Sequence, residues 1–479
     1  MNVLDHGASF RALPPARAGR FPAPAGTGDI VELEVTDLDS KGRGVGRFQG
    51  VVVFVDGGLP ADRIRARIVR GRASGKGHYV ADLVAVVRPS PDRVGPPCPV
   101  AAACGGCQLM ALSYPAQLRW KTRRVREALR RIGHLEAVPV ADCLGASRQL
   151  GYRNKAQFPV SAVRGKGLVA GLYRRGTHAV VPVESCLLQR PPGDRVVAAA
   201  VDVARESGLE AYDEKSGRGL LRHILVRVSS DGREAMAVFV TARGTFPAGK
   251  RLAAALRKRV PEVRTVVQNV NARRTNVILG PRNIVLSGPG YIHDTLAGLR
   301  FRVSVSSFFQ VNPEQAEALY GVVADMAEGA RRVVDVYSGV GTVALYLARK
   351  VSGLEEVTGI ESNPNAVRDA AANARSNGVE KAVFICGDAA RVLREMSRAG
   401  VRPDTVILDP PRKGCEKAVL ETLADMDCRR VVYISCNPAT LARDLAVLAA
   451  RGYRTERVQP VDMFPQTTHV ESCSLVVRR

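Results

Sequence analysis

The chain has 479 residues, room for about three domains of ordinary size. Hydrophobic residues make up 46% and charged residues 24%, which excludes a disordered or low-complexity chain and points to a globular one. The formal net charge is +24, from 70 Lys and Arg against 46 Asp and Glu, and so large an excess speaks about partners rather than fold. Nucleic acid is the expected partner, because its phosphates reward Lys and Arg with counterion release; solubility alone is the plainer account. The first residues lack the apolar core of a signal peptide, and no run of about 18 apolar residues occurs. The expected location is therefore cytoplasmic, without membrane contact. The ten Cys then read as metal-binding, catalytic or buried rather than disulfide-bonded.

Residues 1–26, rich in Pro, Ala, Gly and Arg, read as a disordered tail. Residues 27–90 read as all-β. Ile64, Ala66 and Ile68 alternate there with Arg63, Arg65 and Arg67, which puts the three Arg on one face of a strand. A small barrel with such a face is an oligonucleotide-binding arrangement, and a solvated charged face is the alternative. Residues 91–305 begin with a Cys cluster. A helix is expected over 113–133, with Leu118, Val125, Leu129 and Ile132 as its apolar stripe and Arg and Lys over the rest of its surface. The remainder of this segment is mainly β, with a hairpin signal at Asp231-Gly232.

From 306 to 479 the pattern alternates between helix and strand. VVDVYSGVG, EVTGIE, AVFICGD, DTVILDPP and RVVYISC are five short apolar strands at βαβ spacing, which predicts a parallel, doubly wound, Rossmann-like sheet. RTERVQPVDMF and SCSLVVRR are expected to pair antiparallel at its end. The fold class is thus α/β, with a small N-terminal β-barrel and a β-rich central segment.

Gly339-x-Gly341-x-x-Ala344 follows the first of those strands and opens a helix, and Glu361 ends the second strand. The glycines let the backbone approach a ligand at a helix N-terminus, and the acid is placed for ribose hydroxyls. The pattern fits NAD as well as S-adenosylmethionine. Asp335 before the loop and Asp388 after the third strand suit a cofactor with a cationic amino-acid tail, which favours S-adenosylmethionine.

Asp409, in LDPPR, ends the fourth strand, and Cys436, in SCNP, ends the fifth. Ligands of open parallel sheets bind outside these carboxyl ends, so both should face the cofactor cavity. Glu471 lies near the last strand. Carbon 5 of uracil is a poor nucleophile. A thiolate added to carbon 6 turns the ring into an enolate and makes carbon 5 reactive, and Cys suits that role. A base must then remove the carbon 5 proton; Glu471 is the candidate, with His469 as competitor. Asp409 is a candidate to hold the ring or the developing charge. The plainer readings are a small buried hydrophobe for Cys436, a strand terminator for Asp409-Pro410-Pro411 and a surface carboxylate for Glu471. Cys386, Cys415, Cys428 and Cys473 read as structural.

Cys98, Cys104 and Cys107 are spaced C-x5-C-x2-C, with Cys186 further on and Cys143 as its rival for a fourth position. Four thiolates can hold an iron–sulfur cluster or a zinc ion, and the spacing does not separate them.

Several motifs in fixed order carry a resemblance. They are the C-x5-C-x2-C cluster, SSFFQVNPEQAEALY (Ser306 to Tyr320), DVYSGVGT (Asp335 to Thr342), LDPPRKGC (Leu408 to Cys415), YISCNPATLARD (Tyr433 to Asp444) and DMFPQTTHVE (Asp462 to Glu471). Together they resemble the RNA uracil-C5 methyltransferases, in particular the 23S rRNA branch. The resemblance implies a TRAM domain for the first barrel and a 4Fe–4S cluster on Cys98, Cys104, Cys107 and Cys186, for which a structural role is expected. It implies S-adenosylmethionine contacts from Gln310, Tyr337, Thr342, Glu361, Asp388 and Asp409. Some members carry Asn where this chain has Thr342. Cys436 matches the nucleophile and Glu471 the proton acceptor, and Phe308 and Phe309 are expected to help shape the site. The tRNA-modifying branch typically lacks the barrel and the Cys cluster, so their presence implies a 23S rRNA substrate. No obligate protein partner is implied.

Overall fold

A computed structural model describes residues 25–71, 77–246 and 248–479. The tail expected over 1–26 falls almost wholly on residues 1–24, outside the described residues. The chain divides into two compact units, Met1–Arg93 and Val94–Arg479.

The first unit is a closed five-stranded barrel of β1 (Ile30–Leu38), β2 (Gly44–Phe48), β3 (Val51–Asp56), β4 (Arg63–Arg70) and β5 (Tyr79–Arg88), in the order β1-β2-β3-β5-β4. Closure removes the unpaired strand edges that a small open sheet would leave. The period-two pattern of β4 is realised in full. Ile64, Ala66 and Ile68 are completely buried, while Arg63, Arg65 and Arg67 point outward. Ala25 joins the same core. Gly46 marks a close crossing, since a Cβ there would sit 2.4 Å from the Leu33 side chain and 2.5 Å from the Glu34 carbonyl. The Arg face is not free, because Arg63 and Arg65 both bond to Glu32, at 2.7 and 3.3 Å.

The second unit opens with α1 (Tyr114–Arg131), the helix expected over 113–133. It packs on a late helix of the C-terminal sheet, burying Val125 and Leu129 there. Two expectations for its surface fail. Ile132 lies past the last turn and is 46% exposed, and Lys121 is fully buried. Lys121 escapes the solvated face because Asp462 reaches it at 2.5 Å and neutralises a charge that could not otherwise be buried.

A seven-stranded sheet follows, built from β6 (Lys155–Val163), β7 (Gly167–Tyr173), β8 (Val180–Pro182), β9 (Leu221–Val228), β10 (Ala235–Thr241), β11 (Val263–Val270) and β12 (Arg282–Ser287). Its order is β12-β11-β10-β9-β6-β7-β8. The Asp231-Gly232 turn joins β9 to β10 as an antiparallel hairpin, with Gly232 at φ 73°. Every residue of β9 and β10 is buried, because both faces are covered. Ile224, Val226, Ala237 and Phe239 meet α2 (Pro191–Glu206) and α3 (Gly249–Arg259). Leu225, Met236, Val238 and Val240 face the other way, into a core shared with the hairpin β13 (Tyr291–Leu296) and β14 (Leu299–Ser304) and with α4 (Pro313–Met326).

The C-terminal sheet has the order β17-β16-β15-β18-β19-β21-β20. Five strands are parallel: β15 (Arg332–Val336), β16 (Glu356–Glu361), β17 (Ala382–Cys386), β18 (Thr405–Leu408) and β19 (Arg430–Ser435). They are linked by α5 (Thr342–Lys350), α6 (Pro364–Ser376), α7 (Ala389–Arg398) and α8 (Lys417–Asp425), and α9 (Pro438–Ala449) follows β19. The last strands, β20 (Tyr453–Val461) and β21 (Glu471–Arg478), pair antiparallel as expected, and β21 inserts between β20 and β19. That insertion brings the C-terminal strand beside the end of β19. Among the described residues no helix is long and apolar enough to cross a membrane.

Candidate active site

The carboxyl ends of the parallel strands open into a cavity of about 640 Å³. Gln310, Tyr337, Glu361, Asp388, Asp409, Cys436 and Glu471 line it together. Residues from the loops after β15, β16, β17, β18 and β19 therefore converge, as expected of an open parallel sheet. Thr342 does not line it. As the first residue of α5 it turns inward, 3.1 Å from the Tyr320 hydroxyl. Phe308 and Phe309 separate as well. Phe308 is 65% exposed on the cavity wall, whereas Phe309 is buried against Phe301.

The glycine loop is shaped by hydrogen bonds and steric limits. Gly341 caps α5 at φ 82°, and a Cβ there would stand 2.7 Å from the Phe384 ring. Glu361 accepts from the Gly339 and Asn363 amides at 3.1 and 2.8 Å, so one carboxylate pins the loop to the following strand. Asp388 caps α7 through the Arg391 amide. Asp335 lies beneath the loop. One of its oxygens accepts from the Ala344 amide at 3.1 Å, and the other is buried without a partner. Tyr337 holds a left-handed φ of 69°, a strained state for a large side chain that places its ring in the cavity wall.

Cys436 follows β19, and Asn437 caps α9 immediately after it. Ser435 pairs with Ser472 in the antiparallel register, so Cys436 and Glu471 occupy adjoining positions across the two strands. Burial pushes the Glu471 carboxyl up to about 8, with Asp409 adding to the rise and Arg412 opposing it. Asp409 is raised to about 7 by burial, and Asp335 to about 8 by burial and then by Asp409. Burial likewise raises the Cys436 thiol to about 11, reinforced by Glu471 and Asp409 and opposed by Arg412. His469 also lines the cavity, but burial, followed by Arg412, Arg124, Lys121 and Arg153, lowers it to about 4. A ring so reluctant to hold a proton is a poor base at neutral pH, and Glu471 is the better matched of the two.

The sequence reading passed over Arg412 and Phe464. Arg412 is exposed yet acts on Cys436, Glu471 and His469, and its position directly after Asp409-Pro410-Pro411 was the available signal. Phe464 stacks edge-on to His469 at 5.7 Å, and its place in the DMFPQTTHVE motif, beside His469 and Glu471, was the available signal.

The Cys cluster lies elsewhere. Cys98, Cys107 and Cys186 pack around Met110, Tyr152 and Leu188. Cys107 is pushed up to about 12 by burial and then by Cys186, Cys104 and Cys98, so the four thiols share one environment. Cys143 is buried separately, in the core beneath α1. Among the described residues no group of three or more His, Cys, Asp or Glu is arranged to hold a metal ion.

Residues 271–479 match a family model described as tRNA (Uracil-5-)-methyltransferase, and residues 24–74 match the TRAM domain. An uncharacterized RNA methyltransferase of Halalkalibacterium halodurans is 43% identical over 95% of this chain and 98% of its own length. The chain belongs to the TRAM-domain-containing RNA uracil-C5 methyltransferase family. Another family relative, an uncharacterized RNA methyltransferase of Geobacter sulfurreducens, is 43% identical over 94% of this chain and 90% of its own length. A solved structure, the Pyrococcus abyssi tRNA (uracil-54, C5)-methyltransferase in complex with S-adenosyl-L-homocysteine, is 28% identical with a TM-score of 0.73. It is matched over 93% of this chain and 100% of its own. The family is one of S-adenosylmethionine-dependent enzymes that methylate uracil carbon 5 in RNA, so S-adenosylmethionine rather than NAD is the cofactor of the chain.

Proposed function

We propose that Cys436 and Glu471 perform this methylation through a covalent protein–uracil adduct. The observation that carries the proposal is their adjacency across β19 and β21 at the wall of the cofactor cavity. The Cys436 thiolate adds to carbon 6 of a uridine extruded from its stack, and the ring electrons move toward carbon 5 and the carbonyl oxygen. S-adenosylmethionine, when bound, supplies an electrophilic methyl group to carbon 5. Glu471, as carboxylate, removes the carbon 5 proton, and the carbon–sulfur bond breaks to release Cys436. Gln310, Tyr337, Glu361, Asp388 and Asp409 form the cofactor wall, with Glu361 suited to the ribose hydroxyls. The unpartnered oxygen of Asp335 and the raised Asp409 fit a cationic cofactor, whose charge would offset theirs.

The RNA class is open between two readings. The barrel and the Cys cluster were grounds for 23S rRNA. The P. abyssi tRNA enzyme, however, matches more of this chain than could be covered without the barrel. A layout of this kind therefore serves tRNA in at least one relative, and tRNA is the better supported substrate. The cytoplasm remains the proposed location.

A 4Fe–4S cluster on Cys98, Cys104, Cys107 and Cys186 forms a further part of the proposal. The donor type fits, being thiols only, partly buried and near enough to raise one another, while among the described residues no three of them are already arranged to hold a metal ion. Such a cluster would tie the 98–107 loop to the segment around Cys186. Iron and sulfide content after anaerobic purification tests it, and an iron-free protein of full activity and stability overturns a structural role.

The deciding experiment is tritium release from unmodified tRNA and 23S rRNA transcripts labelled at uridine carbon 5, with native chain and Cys436→Ala. Release that needs both cofactor and Cys436 is expected. Release from neither RNA, or release that survives Cys436→Ala, overturns the reading.

A further inference from the structure

Away from the cleft, the central sheet carries a second cavity, of about 590 Å³. The end of β7 and the turn after it supply Tyr173, Arg174 and His178 to its wall, and the start of β9 supplies Arg222 and His223. Gly105, within the Cys loop, closes one side. None of these residues reaches the cavity around Cys436.

The lining has a distinct chemistry. The Tyr173 and His178 rings stack on one another, 5.2 Å apart at 23°, and the exposed His178 ring leaves the outer face of the pair as a flat platform. Arg222 is held at the far side by the Asn271 and Arg273 carbonyls, at 2.9 and 2.6 Å, and its guanidinium lies over the Tyr212 ring. Arg174 is exposed at the rim. His223 is only 6% exposed and has one ring nitrogen without a hydrogen-bond partner. Burial and then Arg222 keep that ring neutral, so it offers one donor and one acceptor. The acid of the lining, Glu214, is taken up by His178 at 2.8 Å. An aromatic platform, a fixed cation, a neutral ring and a rim cation are the groups that hold an unstacked nucleotide.

The geometry points to a docking pocket for an RNA nucleotide other than the methylated uridine, its base on the Tyr173–His178 platform and its phosphate toward Arg174. This rests on the RNA-methylating reading above. The pocket is joined to the Cys loop. The Gly105 amide donates to the Tyr173 carbonyl at 2.9 Å, and a Cβ on Gly105 would meet that oxygen at the same distance. Cys104 and Arg174 form an isolated β-bridge. The loop thereby sets the position of the platform, and the role assigned to the pocket is substrate grip rather than chemistry.

The test uses the full chain and the tRNA or 23S rRNA transcript that the native chain methylates, labelled with fluorescein. Anisotropy gives the affinity of native chain, Tyr173→Ala, Tyr173→Phe and Arg174→Glu at one salt concentration, and steady-state methylation gives KM and kcat. Thermal unfolding checks each variant, and Arg174→Glu, at an exposed side chain, serves if Tyr173→Ala is unstable. Expected are about 5- to 50-fold weaker binding and a matching rise in KM for Tyr173→Ala and Arg174→Glu, with kcat retained. Tyr173→Phe, which keeps the platform, is expected to bind within about twofold of native. Folded variants with native affinity and KM, or a fall in kcat alone, overturn the pocket and leave the methylation reading standing. A native chain that neither binds nor methylates either transcript overturns both.

Discussion

At the barrel surface Arg63 and Arg65 are more than half exposed and share Glu32, which solvent also reaches. At the cavity around Cys436, Glu471 in the wall and Asp335 beneath the glycine loop are almost wholly buried near Asp409, and the lining cations Arg412 and Lys413 are exposed. The two regions handle charge in opposite ways. Exposed pairs like those on the barrel contribute little to stability, because water screens them. The cavity carboxylates cost stability at neutral pH, since no buried partner compensates them. A fold retains such groups where their charge is used, and the roles proposed for them, toward a cationic cofactor and the proton on carbon 5, are of that kind.

Removing the nucleophile tests the cavity side of that contrast most severely. Cys436→Ala is expected to lower methyl transfer by on the order of 10⁴-fold or more, with an unchanged melting temperature. Tritium release and thermal unfolding measure the two effects, and a residual rate within about tenfold of native would remove Cys436 from the mechanism.

Glu471→Gln should slow turnover by about 10² to 10⁴-fold and trap methylated RNA bound to Cys436, visible as a denaturation-resistant band. The same variant probes the cost of burial. A carboxyl raised from 4.5 to about 8 contributes its stability below pH 4.5 and loses it as pH rises through 8. Glu471→Gln should therefore gain in melting temperature relative to native between pH 5 and pH 9. A constant gap across that range would mean that Glu471 titrates normally.

Lys121 supplies the intermediate case, a buried charge that has a partner. Lys121→Met leaves Asp462 buried at the base of the loop leading to Glu471, and should cost about 3–5 kcal/mol in denaturant unfolding. A loss below about 1 kcal/mol would show that the pair behaves like the exposed ones.

The smallest effect is expected on the barrel. Glu32→Gln should leave the melting temperature unchanged and tighten RNA binding about twofold at low salt, by releasing Arg63 and Arg65. Weaker binding would mean that Glu32 orders those side chains for RNA.

Local pattern carried much of this molecule. Alternation in β4, the Asp231-Gly232 turn and five apolar runs at βαβ spacing marked the barrel strand, the hairpin and the parallel sheet, because the pleat and the tight turn are short-range effects. Cys436 and Asp409 were legible as strand-end residues, since an open parallel sheet binds ligands at those ends whatever its loops contain. Tertiary packing decided what lies between distant segments. The insertion of β21 beside β19 set Glu471 next to Cys436, and neither segment signals the other. Burial of Lys121 required Asp462, 341 positions away, because only an opposite charge at contact makes a dry ammonium tolerable. Thr342 and Phe309 turned inward while Phe308 turned to the cavity, choices made by the neighbours available on each side. Cys186 rather than Cys143 joined the other three thiols for the same reason: sequence sets which side chains exist, and the paths of separate strands set which of them meet.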